Sequence, residues 1–329
     1  MNLLMLLLGL VLTILGADYL VNGSVAVAKR FHMPEFLIGI TIIGIGTSMP
    51  ELVVSVTASL SDRGSIAIGN VLGSNLANTL LILGAAALIR PVAFSRDALR
   101  VDIPFNIAAS VVLFAVCFGF GARSHGGTIS RFDGILFLLM FAVYMIYSFR
   151  VASKNNLQQT QPSGQIQTDD QTPADGQNEM PLWKATIFIA GGLAGLIFGG
   201  RWFVNGASGL AAALGVSETI IAITIVAVGT SLPELATSVV ASVKGRSQLA
   251  LGNVIGSNIF NICLILGVSA TVRPLDGAGI MLSDMLAPLI AIVLLWISAF
   301  TFKGRKVNRI DGAIFLAVYI AYIIYLTLR

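Results

Sequence analysis

The sequence predicts an all-α polytopic membrane protein with ten transmembrane helices in two inverted five-helix repeats. Three observations predict this fold class: the composition, the number of apolar runs and an internal duplication. Of the 329 residues, 56% are hydrophobic and 11% are charged, and the mean hydropathy is +0.88. A soluble domain carries about 25% charged residues, so this chain lacks the polar surface that water requires.

Apolar runs with polar or Gly/Pro-rich segments between them predict the individual spans. Each run is long enough to cross a hydrocarbon layer of about 30 Å as a helix. No cationic stretch precedes the first run, which indicates a retained span and not a cleaved signal. The predicted spans are 2–27, 36–60, 66–89, 102–121, 132–149, 183–212, 217–242, 249–271, 282–302 and 310–327.

One long polar segment separates the first five spans from the last five. Residues 153–180 read SKNNLQQTQPSGQIQTDDQTPADGQNEM and offer almost nothing to bury. A composition rich in Gln, Asp, Pro and Gly is typical of disordered linkers. We therefore predict a first five-helix repeat at 1–150, a flexible linker at 151–182 and a second five-helix repeat at 183–329.

The two halves are copies of one another in a single register. A shift of 183 residues places Thr47 on Thr230 and Glu51 on Glu234. Between 47–60 and the matching segment, nine of fourteen positions are identical. Because five is an odd number of spans, the second copy must enter the bilayer in the opposite orientation, which is the organisation of many secondary transporters.

The distribution of Lys and Arg predicts the orientation in the membrane. With the N-terminus outside, the inside loops hold fourteen of these residues and the outside segments hold five. Since cytoplasmic loops carry the excess of positive charge, both termini are predicted outside and the linker in the cytoplasm, in the cell (inner) membrane. The net charge of +4 is thereby explained by topology, and we expect a lipid bilayer but no nucleic-acid partner and no obligate protein partner.

The motif GTS-x-PEL occurs once in each half, inside an apolar run. It begins at Gly46 and again at Gly229, so that Pro50 and Pro233 lie four residues later. Proline cannot donate to the carbonyl four residues before it, and its ring crowds that oxygen. We therefore expect a kink in each helix and freed carbonyl oxygens, which must face protein or a wet cavity and which a hard cation would satisfy.

Oxygen-bearing side chains accompany each proline at spacings of three and four residues, so they converge on one helix face. An acid inside a membrane span indicates a functional site by default, and here two acids occupy matching positions. A set made only of oxygens suits calcium or sodium. The candidate ligands are Thr47, Ser48 and Glu51 in the first half and Thr230, Ser231 and Glu234 in the second.

The next span of each half carries a polar stripe, in GNVLGSNLAN at 69–78 and GNVIGSNIFN at 252–261. Its glycines form G-x-x-x-G, a spacing that serves close helix packing. Asn75 and Asn258 lie one position off the stripe, where interhelical packing and a role at the site are equally open. The stripe residues are Asn70, Ser74 and Asn78 and their repeat mates Asn253, Ser257 and Asn261.

These paired motifs resemble the alpha repeats of the cation/calcium antiporter superfamily, most closely its prokaryotic sodium/calcium exchangers, over nearly the whole chain. The resemblance implies a sodium/calcium exchanger-like fold with one calcium site flanked by sodium sites. It implies that Glu51 and Glu234 bind calcium, with backbone oxygens of Thr47 and Thr230. It further implies sodium ligands among Ser48, Ser74, Ser231 and Ser257, with Asn78 and Asn261 lining the centre.

The chain departs from the superfamily pattern at Asn261. Many relatives, including the potassium-dependent branch, carry aspartate at this position, whereas both halves carry asparagine here. A third acid is therefore missing, which counts against potassium dependence. The exchange ratio and a proton-coupled mode stay open.

The leading functional prediction is antiport of Ca²⁺ against Na⁺ by alternating access, in which the first and sixth spans slide across the core. A Ca²⁺/H⁺ antiporter that uses the same glutamates as proton carriers is the alternative, followed by a passive cation channel. No nucleophile–base pair, His/Cys cluster or phosphate loop indicates an enzyme, and we expect no cofactor. The expected transported ions are Ca²⁺ and Na⁺, with H⁺ as the alternative counter-ion.

Overall fold

The computed structural model describes residues 1–119, 127–159, 180–215, 227–301 and 305–328. Within these ranges the chain is helical except for short connections and one two-stranded ribbon. The helices are α1 (Asn2–Arg30), α2 (Glu35–Thr47), α3 (Met49–Leu60), α4 (Gly64–Ile89), α5 (Ala98–Phe118), α6 (Arg131–Gln159), α7 (Leu182–Ala213), α8 (Ala227–Thr230), α9 (Leu232–Val243), α10 (Ser247–Val272), α11 (Leu282–Thr301) and α12 (Arg309–Leu328).

The predicted all-α membrane class is confirmed, whereas the predicted count of ten spans is not. In the described part of the chain eight helices are long and apolar enough to cross a membrane, and the bent pair of α2 and α3 raises the number to nine. The predicted span 217–242 is described only from residue 227 onward, as α8 and α9. Its first ten residues lie outside the described ranges.

The end of the first half differs from the prediction. The fifth span was expected to end at residue 149, but α6 continues to Gln159, so residues 151–159 of the predicted linker are helical. This stretch has no proline or glycine that would stop a helix. Residues 160–179 of the predicted linker lie outside the described ranges.

The helix breaks in the paired motifs lie two residues before the prolines and not at them. Between α2 and α3 the chain turns by 47° at Ser48, whose φ and ψ are −83° and 6°. Ser231 has nearly the same backbone angles, −87° and 8°, between α8 and α9. Pro50 and Pro233 therefore occupy the first turn of the following helix, where no intrahelical N–H is required.

Two helices form the centre of the protein. Of the most apolar stretch of α4, 72% is buried, and of that of α10, 94%. The outer helices keep large apolar side chains exposed, as in the case of Leu3, Leu7 and Val11 on α1, which suits a surface that faces lipid. In the middle of α4 and α10 the helix widens to π-helical turns over Ala77–Ile82 and Phe260–Leu266; such turns are frequent at functional sites.

The helices of the first and sixth predicted spans, α1 and α7, lie against each other. A Cβ atom added to Gly16 would lie 2.7 Å from the backbone N of Leu196. One added to Gly192 would lie 2.6 Å from the backbone N of Leu20. The two backbones thus approach as closely as small residues permit in membrane helices, and α1 and α7 form one packed pair.

Backbone pairing outside the helices joins one half of the sequence to the other. The antiparallel strands β1 (Val92–Ala93) and β2 (Lys306–Val307) connect the segment after α4 with the segment before α12. Ile129 and Leu275 exchange two backbone hydrogen bonds of 2.9 Å, which connects the segment after α10 with the segment before α6. The two halves are therefore interlocked in the structure.

Candidate functional site

The two glutamates of the paired motifs are buried, and each is contacted from the opposite half. Ser48 Oγ donates a hydrogen bond to Glu234 Oε1 at 3.0 Å, and Ser231 Oγ donates to Glu51 Oε1 at 3.3 Å. Both carboxylates are 1% exposed. The breaks between α2 and α3 and between α8 and α9 therefore face each other.

Helix position helps to hold the negative charges in the interior. Glu51 lies in the first turn of α3, and Glu234 lies in the first turn of α9. The first backbone N–H groups of a helix have no intrahelical acceptor and favour a nearby anion, typically by about 0.3–1 kcal/mol. This stabilisation is much smaller than the cost of burying a carboxylate, which is several kcal/mol per ion.

Asparagines on the central helices anchor the backbone at both glutamates. Asn70 Nδ2 donates to Glu51 O at 3.3 Å and to Ser55 Oγ at 3.0 Å. Asn253 Nδ2 donates to Glu234 O at 3.3 Å and to Ser238 Oγ at 2.9 Å. The polar stripe had singled out both asparagines. Their role as backbone anchors was not predicted, because it depends on how α3 and α9 pack against α4 and α10.

The two threonines of the motifs differ in their surroundings. Thr47 is buried, and its hydroxyl lies 3.0 Å from Ile43 O and 3.2 Å from Asn253 Oδ1. Thr230 is half-buried. The Thr47 hydroxyl can therefore donate its proton within the protein, and the role of its backbone oxygen as a cation ligand stays a prediction.

Several buried oxygens of the predicted site residues have no hydrogen-bond partner in the protein. In the described residues twelve buried polar side-chain atoms lack one, and five of them belong to predicted site residues. An unsatisfied buried polar group costs about 1–3 kcal/mol, and a charged group costs more. Each of these burials is therefore unfavourable for the protein alone. The five atoms are Glu51 Oε2, Glu234 Oε2, Asn78 Oδ1, Asn261 Oδ1 and Ser257 Oγ.

The donor set consists of oxygens only, so it fits a hard cation. Carboxylate, amide and hydroxyl oxygens are the ligands that Ca²⁺ and Na⁺ use, whereas transition metals prefer imidazole or thiolate. Ser74 Oγ lies 3.5 Å from Glu51 Oε1 and adds a further oxygen to the set. Across the described residues no group of three or more His, Cys, Asp or Glu side chains could hold a metal ion.

A cavity of about 210 Å³ reaches the site from the side of α7. Its lining includes Pro50, Thr230 and Pro233 of the motifs and Arg201 and Asn205 of α7. One helical face of α7 therefore borders a cavity that motif residues also line.

On α1 the residues Asp18 and Asn22 make a polar contact with the end of α9. Lys244 Nζ lies 2.6 Å from Asp18 Oδ1 and 2.7 Å from Asn22 Oδ1, which ties α1 to the end of α9. Asp18 and Arg201 occupy the same position in the two halves. The two halves thus share a sequence pattern but not the same contacts with the outer helices.

An all-helical, multi-pass fold with two buried acids and partnerless oxygens at its centre defines a membrane transporter for cations. Comparison with known proteins specifies the family. The family model for the sodium/calcium exchanger protein matches residues 1–150 and 184–328, and the chain belongs to this family of antiporters. The resemblance noted from the motifs is thereby confirmed.

Individual relatives cover the chain almost completely. The putative antiporter CaxA of Alkalimonas amylolytica is 36% identical over 96% of this chain and 95% of its own length. The sodium/calcium exchanger MaX1 of Methanosarcina acetivorans is 34% identical over 99% of this chain and 98% of its own length. The inner membrane protein YrbG of Escherichia coli is 37% identical over 82% of this chain and 79% of its own length.

A solved structure has the same fold. The sodium-calcium exchanger NCX_Mj, soaked with 2.5 mM Na⁺ and 0.1 mM Ca²⁺, superposes with a TM-score of 0.78 at 32% sequence identity. The superposition covers 98% of this chain and 97% of that chain. The family consists of transporters and not of enzymes, in agreement with the interpretation of the sequence.

Proposed function

We propose that this protein is a secondary active antiporter that exchanges Ca²⁺ for Na⁺ at the site between Glu51 and Glu234. The observation that carries the proposal is that five oxygens of the predicted site residues are buried without protein partners, among them one oxygen of each carboxylate. Similarity to proteins named sodium/calcium exchangers supports it. The ions are the transported substrates, and no cofactor has a role in this proposal.

The charge of the site explains how one site serves two ions. Two carboxylates neutralise one Ca²⁺ or two Na⁺, and Ca²⁺ takes about six to eight oxygen ligands. In the proposal Glu51 and Glu234 bind calcium together with backbone oxygens of Thr47 and Thr230. Serine hydroxyls bind sodium, and two amides line the centre. These further ligands are Ser48, Ser74, Ser231, Ser257, Asn78 and Asn261.

Obligatory exchange follows from the cost of burying uncompensated charge. Without a cation, the carboxylates would enter a dry, occluded state at a cost of several kcal/mol per ion. A bound Ca²⁺ or a set of Na⁺ ions removes most of this cost. The ion-loaded protein therefore switches between its outward-open and inward-open states more readily than the empty protein. After one ion is released, another ion must bind before the site can return to the first side of the membrane.

The proposal includes the topology that the duplication predicts. Ten spans form two inverted repeats, at 1–150 and 183–329, joined by a cytoplasmic linker between α6 and α7, with both termini outside the cell membrane. The reciprocal bonds of Ser48 and Ser231 to the glutamates of the opposite half support this arrangement. Alternating access arises when the packed pair of α1 and α7 moves across α9 and α3.

Uptake of ⁴⁵Ca²⁺ into proteoliposomes tests this function. An outward Na⁺ gradient and an outward H⁺ gradient are imposed separately on wild type, Glu51→Gln, Glu234→Gln and the control Glu35→Gln. Glu35 pairs with Arg246 at 2.7 Å, and this partly exposed pair lies outside the site. We expect sodium-driven uptake that falls at least about 100-fold in both site variants, since the neutral amide loses half of the site's charge, and that persists in the control.

Two other outcomes would change the conclusion. Uptake driven only by the proton gradient would assign Ca²⁺/H⁺ antiport to the same glutamates, since each has one oxygen without a partner that can hold a proton. Uptake that ignores both gradients would indicate a passive cation channel. Wild-type transport rates in Glu51→Gln would remove the site itself from the mechanism.

A further inference from the structure

Two hydrogen bonds between asparagine side chains cross from one half of the protein to the other. Asn261 Nδ2 donates to Asn75 Oδ1 at 2.9 Å, and Asn78 Nδ2 donates to Asn258 Oδ1 at 3.1 Å. The 183-residue shift converts one bond into the other. All four side chains are at most 3% exposed, so these bonds lie away from the protein surface.

The orientation of Asn258 is set by a chain of donors and acceptors. The single hydroxyl proton of Thr79 is donated to Asn75 O at 2.9 Å, so Thr79 Oγ1 can only accept from its other neighbour. Asn258 Nδ2 donates to this oxygen at 2.8 Å. The amide nitrogen of Asn258 therefore faces Thr79, and its amide oxygen faces Asn78.

Asn75 is oriented in a different way, with the same result. Its Nδ2 donates to the backbone carbonyl of Asn258 at 3.2 Å, and a carbonyl can only accept. The amide oxygen of Asn75 is therefore turned toward Asn261. Each of these asparagines presents an acceptor, so the partner that meets it must present its NH₂ group.

The consequence appears at the site residues Asn78 and Asn261. With its NH₂ group bonded to the opposite half, each has its Oδ1 on the other side of the amide, buried and without a partner. An amide turned by 180° occupies nearly the same volume but would offer N–H donors, which repel a cation. The network thus selects the orientation that a cation site needs.

We propose that Asn75 and Asn258 are positioning residues for ion binding: each holds an amide of the opposite half with its oxygen turned toward the transported cation. The inference rests on the proposed function: the hydrogen bonds of Asn75 and Asn258 orient the amide oxygens of Asn78 and Asn261 so that they can serve as ligands. Residues that orient metal ligands typically change metal affinity by about 10- to 100-fold when they are removed.

The test compares Asn258→Leu with Asn106→Leu in the full-length purified protein. Asn106 is 1% exposed, lies on α5, and its Nδ2 has no partner, so the control removes an equally buried amide that holds no site residue. Equilibrium binding of ⁴⁵Ca²⁺ and of ²²Na⁺ is measured, together with the melting temperature in the absence of both ions. We expect Asn258→Leu to weaken binding of both ions at least tenfold and Asn106→Leu to change it less than twofold.

A double-mutant cycle separates positioning from general stability. If Asn258 acts through Asn78, adding Asn258→Leu to the Asn78→Ala variant weakens ion binding further by less than about twofold. Equal losses in both backgrounds would overturn the inference, as would unchanged affinity in Asn258→Leu. Should Asn258→Leu fail to fold, Thr79→Val keeps both asparagines but removes the acceptor that orients Asn258. An affinity loss of at least threefold is then expected, and unchanged affinity would overturn the inference.

Failure of the proposed function has a different signature. If the wild type binds no Ca²⁺, or if Glu51→Gln binds it with wild-type affinity, the proposed calcium exchange at this site is wrong. The ²²Na⁺ measurements on the same variants still decide whether the asparagines orient the amides toward a cation.

Discussion

Ser48 Oγ lies 3.0 Å from Glu234 Oε1, although the two residues are 186 positions apart in the sequence. Ser231 stands in the same relation to Glu51, at 3.3 Å. Each half of the protein therefore supplies the hydroxyl that stabilises the buried carboxylate of the other half, and the site is complete only when both halves are folded together.

Substitution of either serine should affect the ion-free protein most. Ser48→Ala and Ser231→Ala each remove a hydrogen bond to a charged group, which is worth about 1.5–3 kcal/mol. We expect both variants to lower the melting temperature without ions and to recover most of this loss in saturating Ca²⁺, because the cation then compensates the carboxylate. Thermal unfolding in detergent, with and without Ca²⁺, measures both effects.

Ser110→Ala is the matched control for the serine variants. The Ser110 hydroxyl donates only to Asn106 O within its own helix, at 2.9 Å, so a change within about 0.5 kcal/mol is expected. A destabilisation of Ser48→Ala that stays equally large in saturating Ca²⁺ would show that the serine does not respond to the ion.

The two asparagine anchors should differ in their contribution to stability. Asn253 is fully buried and makes three hydrogen bonds, to Glu234 O, Ser238 Oγ and Thr47 Oγ1, whereas Asn70 is partly buried and makes two. A buried group that loses its partner costs about 1–3 kcal/mol. Asn253→Ala should therefore destabilise the protein more than Asn70→Ala in chemical or thermal unfolding. A larger destabilisation by Asn70→Ala than by Asn253→Ala would mean that the partial exposure of Asn70 does not weaken its hydrogen bonds.

Close packing of α1 against α7 predicts opposite effects at two adjacent glycines. A Cβ at Gly192 would lie 2.6 Å from Leu20 N, whereas a Cβ at Gly191 has no atom within 4 Å. Gly192→Ala should cost about 1–3 kcal/mol through overpacking. Gly191→Ala should be neutral or stabilising by up to about 1 kcal/mol, since alanine favours the helix. Melting temperatures of the two variants test this contrast, and equal effects would contradict the packing described here.

The ion pair between Lys244 and Asp18 should make the transport rate sensitive to ionic strength. Its side chains are 30% and 41% exposed, so salt screens the pair and its worth is at most about 1 kcal/mol. If α1 moves across α9 during transport, Lys244→Met should raise the rate up to about fivefold. In the wild type, choline chloride should accelerate transport because it screens the pair. Lys244→Met should abolish this acceleration.

Charge exchange provides the control for this prediction. Asp18→Lys combined with Lys244→Asp restores an attractive pair and should restore the wild-type dependence on choline chloride. If the exchanged pair behaves like Lys244→Met, the contact has no part in holding α1.

Much of this protein follows from its sequence alone. The lengths of the apolar runs predict a helical membrane protein. The 183-residue duplication and the motifs containing Glu51 and Glu234 predict its family. These features can be recognised in the sequence because hydropathy and proline chemistry act over short stretches of chain. Proline chemistry also predicted that the motif helices break, although the break lies at Ser48 and Ser231 and not at the prolines.

Only the tertiary structure determined how these elements meet. Sequence patterns could not assign Ser48 to Glu234, nor decide that Asn75 and Asn258 bond the amides of Asn261 and Asn78, because these contacts join residues about 180 positions apart. The burial of α4 and α10 and the contact of Lys244 with Asp18 are likewise long-range. Local pattern shows which groups must leave lipid and water, whereas packing of the two halves decides which partner each group finds.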